Sequence, residues 1–124
     1  HITNKVDVLK PFYIIAAKEQ NTKVMDHEIA HALYYLNERY RGRMLDMAIK
    51  FRQWDRNNYN KMIKKLKKMG YNQSVFNDEV QAYMSTSTKK ELVEKFDLDY
   101  STSLPSIKLF RKVLDNYNTY KKKS

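Results

Sequence analysis

Two glycines, Gly42 and Gly70, and two prolines, Pro11 and Pro105, are all the backbone punctuation in 124 residues. A chain so poor in turn-formers is expected to run in long helices joined by short turns over most of its length. The length suits one domain built on one hydrophobic core, so residues 1–124 are read as a single unit. The chain opens on His1 rather than Met and is expected to be a processed form or a piece of something longer.

Periodicity places the elements. Phe12-Tyr13-Ile14-Ile15-Ala16-Ala17, behind Pro11, is an apolar, β-branched and aromatic run of strand length, and Lys5 to Leu9 can pair with it. Asn21 or Thr22 can cap a helix running to about Asn37 whose wheel is apolar on nearly every side, the pattern of a core-buried helix. A second helix spans about Glu38 to Trp54, and a third runs from about Asn57 to Met69 and stops at Gly70. Val75 to Ser85 makes a fourth, Thr86 or Ser87 caps a fifth through Phe96, and a last helix starts after Ser103 with Pro105 near its first turn.

Composition removes several chemistries. There is no cysteine, which excludes disulfides, thiolate metal sites and cysteine nucleophiles, so a metal here must be held by His and carboxylate. Two isolated glycines cannot build a phosphate-cradling loop, and three histidines in all leave little for a Ser-His-Asp arrangement. No run approaches the roughly 18 to 20 apolar residues of a membrane span, so the chain is expected to be soluble, in the cytoplasm rather than a disulfide-forming space. A net charge of +10 attracts polyanions at long range. The basic residues are nevertheless dispersed over Arg39 to Arg43, Lys61 to Lys68, Lys89 to Lys95 and Lys121 to Lys123, without the interleaved aromatics of a stacking platform.

Chemistry is concentrated in His27-Glu28-Ile29-Ala30-His31, an H-E-x-x-H string. Residues four apart on a helix lie one above the other, so both imidazoles can reach one ion while Glu28 flanks its water. Val24, Met25, Ile29, Ala30, Ala32 and Leu33 surround the string as in the longer signature of zincin metallopeptidases, which this segment resembles. That resemblance implies an α+β domain, predominantly helical, in which a small sheet or single edge strand packs on a buried H-E-x-x-H helix. It also implies zinc as cofactor, three protein ligands with the fourth position left to water, and Glu28 as general base.

The third ligand decides the branch. Metzincins continue with x-x-Gly-x-x-His, but Tyr34 and Asn37 stand at those places, and the one remaining histidine is His1. Glu38 lies about 10 Å along the axis from His31, too far for one ion. Glu79 opens Glu79-Val80-Gln81-Ala82-Tyr83-Met84, which resembles the glutamate-bearing helix of short gluzincins such as the ImmA/IrrE-like peptidases. The resemblance therefore implies His27, His31 and Glu79 as zinc ligands. Asp78 is the alternative third ligand, or else a group that fixes a histidine tautomer. Tyr83, one turn beyond Glu79, is a candidate donor to the oxyanion as well as a candidate packing residue, and Tyr34 and Tyr35 are placed to line the cleft.

The function expected is zinc-dependent endopeptidase action on a protein or peptide substrate, with an acidic one favoured by the positive field and an extended one able to add to an edge strand at Tyr13 to Ala17. The competing expectation is a basic helical module that binds nucleic acid or an acidic protein partner, its metal structural or absent.

Overall fold

The structure is a computed structural model and describes residues 22–119. Among them lie six α-helices: α1 Thr22–Leu36, α2 Glu38–Trp54, α3 Arg56–Lys68, α4 Phe76–Thr86, α5 Lys89–Phe96 and α6 Tyr100–Tyr117, with a 3₁₀ turn at Gln73–Val75 before α4. No strand occurs among the described residues, so the expectation of an α+β fold is corrected to all-α. Among the described residues, the H-E-x-x-H helix packs on another helix, α4, and on no strand. The runs on which the strand expectation rested, Lys5 to Leu9 and Phe12 to Ala17, lie outside the described residues.

The helix ends follow from local chemistry. Gly70 adopts φ 94°, and the Gly70 and Tyr71 amides bond back to the Lys67 and Leu66 carbonyls, closing α3 in a Schellman turn that only glycine enters without strain. Thr88, rather than Thr86 or Ser87, caps α5: its hydroxyl accepts from the Glu91 amide while the Glu91 carboxylate accepts from the Thr88 amide. Thr86 stays inside α4, donating to the Ala82 carbonyl.

The last helix starts earlier than the proline suggests. Asp99 accepts from the Ser101 and Thr102 amides and so begins α6 at Tyr100, leaving Pro105 inside the helix on an exposed face. A polar knot around the buried Asn58 and Ser103 enforces that start. Asn58 donates to Asp55 at 2.8 Å and to Thr102 at 2.7 Å and accepts from the Asp99 amide at 3.0 Å, while Ser103 donates to Asp55. These bonds pin the α2–α3 junction to the α6 N-terminus more firmly than one proline's missing amide loosens it.

The main core takes side chains from all six helices, with Tyr40, Phe51, Met62, Leu66, Val80, Leu92, Ile107 and Phe110 fully enclosed, and Met25 and Ile29 of α1 form a smaller cluster. Its centre is α4, which packs on α1, α2, α3 and α6 and buries Phe76, Glu79, Val80, Gln81, Ala82, Met84 and Ser85. The motif helix α1 is therefore less enclosed than its sequence suggests: Met25, Ile29 and Ala30 are buried, while Glu28 and Tyr35 face solvent. No helix among the described residues is long and apolar enough to cross a membrane.

Candidate metal centre

His27 and His31 sit one turn apart on α1 and face α4, which sets Asp78 and Glu79 against His31 and Tyr83 and Thr86 against His27. The rings meet edge to face with centroids 4.8 Å apart, and their Nε2 atoms are 3.3 Å from each other. Glu79 Oε1 lies 3.8 Å from His31 Nε2, and one donor atom from each of His27, His31 and Glu79 falls within 4.8 Å of the other two.

The outer nitrogens are already committed. His31 Nδ1 donates to Asp78 Oδ1 at 3.0 Å. His27 Nδ1 donates to Thr86 Oγ1 at 2.9 Å, because the Thr86 hydroxyl hydrogen is given to the Ala82 carbonyl at 2.6 Å. Each imidazole is thereby held in the tautomer that turns its Nε2 lone pair inward, towards Glu79. Two inward lone pairs this close can share one proton or one cation, not both.

Charge and burial shape that competition. Burial, then His31 and Lys95, push His27 down to about 4. His31 moves the other way: burial pulls it down, but the hydrogen bond and charge of Asp78, joined by Glu79 and Glu28, carry it above the ordinary 6.5. Glu79 is raised above the usual carboxylate value, chiefly by burial and further by Asp78 and Glu28, with His31 opposing.

The donor set suits a divalent ion. Two imidazoles and one carboxylate, without thiolate, is a common zinc set. Zinc–nitrogen bonds of about 2.0–2.1 Å at a tetrahedral angle put neighbouring nitrogens about 3.4 Å apart, and the two Nε2 atoms stand at 3.3 Å. Glu79 stands wider, on a side chain with three rotatable bonds.

Binding such an ion requires His31 to be neutral and Glu79 ionised, and both hold their protons more tightly than usual. Zinc affinity is therefore expected to weaken as pH falls. The loss begins above pH 6.5 and approaches tenfold per unit below the His31 pKa, steepening again where Glu79 protonates. His27, at about 4, adds nothing until far lower. Competition titrations against a chromophoric chelator between pH 5.5 and 8 check this, and a flat profile contradicts it.

The other expected residues are distributed as follows. Asp78 holds the His31 ring through its outer nitrogen and is not one of the three clustered donors. Glu28 is exposed at the mouth of the site, and its charge acts on both His31 and Glu79. Tyr83 packs its ring 5.0 Å from the His27 ring and against Phe96. Burial and the charge of Asp78 raise Tyr34, whereas Tyr35 projects into solvent with 61 % exposure.

Four neighbours escaped the sequence reading. Lys95 donates to the Tyr83 hydroxyl at 3.2 Å, and Tyr71 lies where Glu79, then burial and Tyr83, raise its phenol. Both arrive by tertiary packing and carry no local signal. Thr86 was legible, since it follows Glu79 and Tyr83 on one face of α4 once that helix is extended by a residue. Gln81, the fourth, reads as an ordinary helix residue. Comparison with protein-family models, with curated proteins and with solved structures returned no match.

Proposed function

We propose that this chain is a zinc-dependent metallopeptidase in which His27, His31 and Glu79 hold the ion. The observation that carries the reading is the pair of inward-facing Nε2 atoms at 3.3 Å, with a buried glutamate beside them and both outer nitrogens spent on Asp78 and Thr86. Zinc bound there supplies a Lewis acid that lowers the pKa of water and polarises a scissile carbonyl.

The chain's own side chains do the rest. Glu28 follows His27 directly and precedes His31 by three residues, on the solvent side of the site. It takes the proton of the attacking water and passes it to the leaving amine. Asp78 and Thr86 keep both rings in the productive tautomer throughout. Lys95 can only donate, so the Tyr83 oxygen accepts from it, and the Tyr83 O–H, which also meets the Tyr71 hydroxyl, turns to the oxyanion that develops on the carbonyl. The net charge of +10 favours an acidic protein or peptide as substrate.

Elemental analysis of the purified chain is expected to give one zinc per molecule. Hydrolysis of an unfolded protein substrate is expected to stop on chelation and return on adding zinc. Failure to retain zinc after loading at neutral pH, or no hydrolysis by the zinc-loaded chain, sinks the proposal.

A further inference from the structure

One buried amide joins the two helices that carry the candidate ligands. Gln81 is fully enclosed on α4. Its Nε2 donates to the Ala30 carbonyl on α1 at 3.1 Å and to Asp78 Oδ1 at 3.0 Å, while its Oε1 accepts from the Tyr40 hydroxyl at 2.6 Å. Tyr40 is itself fully buried on α2, with its ring edge against Tyr117 of α6.

Donor and acceptor count fixes the orientation of that amide. An amide nitrogen has two hydrogens, and Ala30 and Asp78 take them; the amide oxygen faces a hydroxyl. Turning the group over would place its oxygen against a carbonyl and a carboxylate and leave the Tyr40 hydroxyl facing an NH₂ group, with the amide and the phenol both shielded from water. Helix α4 can therefore seat on α1 in only one register while these bonds are made.

Two features of the metal centre depend on that register. Ala30 immediately precedes His31, so the bond to its carbonyl sets how far along α1 the Glu79 carboxylate stands. Asp78 Oδ1 receives Gln81 and His31 together, so the same amide aims the carboxylate that holds the His31 tautomer. Apolar packing between the two helices is tolerant of small slides, whereas a buried polar group with three fixed partners is not.

We propose that Gln81 is a positioning residue for the metal centre: it locks α4 against α1 and orients Asp78, so that His27, His31 and Glu79 are preorganised for one divalent ion. The inference rests on the reading of those three residues as metal ligands. Gln81 touches neither ion nor substrate and acts through Asp78 and the Ala30 carbonyl.

The test uses Gln81→Met, which keeps the side chain's length, and the double variant Tyr40→Phe with Gln81→Met, which also removes the buried hydroxyl that loses its amide partner. Zinc alone is the probe. Both variants are expected to bind zinc 10- to 100-fold more weakly than the parent chain, the range for losing an outer-shell partner. Nitrogen-15 shifts of the imidazoles are expected to show His31 leaving its single Nδ1–H tautomer in the zinc-free protein above its pKa, while His27, held by Thr86, keeps its own. A fall in melting temperature alone does not produce that asymmetry. Zinc affinity within twofold of the parent in the folded double variant, with the His31 shifts unchanged, overturns the inference. No zinc binding by the parent chain overturns the metal-centre reading instead.

Discussion

The Glu28→Gln variant is expected to retain one zinc per chain and to lose peptide cleavage by about 10²- to 10⁴-fold, the range for removing a general base. The side chain is exposed and makes no contribution to the core, so the substitution leaves the fold and the three clustered donors in place. It also removes a negative charge that acts on His31 and Glu79. With that charge gone both groups release their protons more readily, so zinc affinity at neutral pH is expected to hold or fall only slightly. Metal content by elemental analysis and the rate on an unfolded protein substrate are measured on the same preparation. Cleavage at the parent rate would remove Glu28 from the mechanism.

Glu79→Ala is expected to abolish stoichiometric zinc and, with it, all hydrolysis, whereas Asp78→Asn is expected to weaken zinc by 10- to 100-fold and keep measurable activity at saturating metal. The contrast follows from geometry: Glu79 Oε1 faces His31 Nε2, the inner nitrogen, and Asp78 Oδ1 faces Nδ1, the outer one. An Asn at position 78 can still accept from His31 Nδ1 through its carbonyl oxygen but lacks the charge. Glu79 is 9 % exposed, and its replacement relieves a buried carboxylate that forms no ion pair with a lysine or arginine among the described residues, so the variant is expected to fold. Isothermal titration with zinc separates the two variants. The reverse order, with Asp78→Asn losing the metal and Glu79→Ala keeping it, would exchange their roles.

Helix positions were legible because they depend on neighbours in sequence. The scarcity of Gly and Pro, the Gly70 stop and the apolar spacings of α2 and α4 place those elements within a residue or two. Where the reading missed, a distant partner had decided. The start of α6 is set by Asn58 and Asp55, about forty positions upstream, and their hydrogen bonds to Asp99, Thr102 and Ser103 outweigh the local cue of Pro105. The enclosed helix proved to be α4 rather than the motif helix, because burial is set by how many helices surround an element and not by its own wheel. His27 and His31 announce themselves by spacing, and Glu79 by resemblance. The residues that set their chemistry, Gln81 and Lys95 above all, reach the site through packing that no short string encodes.

Because the glutamate rides on the central helix α4, its backbone belongs to the part of the molecule that opens last. Fraying of the first turn of α1, ahead of His27, frees neither Glu79 nor the register that Gln81 keeps. Ion capture and cooperative melting are thus thermodynamically linked: any cation that prefers the native chain raises the melting midpoint with its own concentration, and that dependence is readable without a substrate.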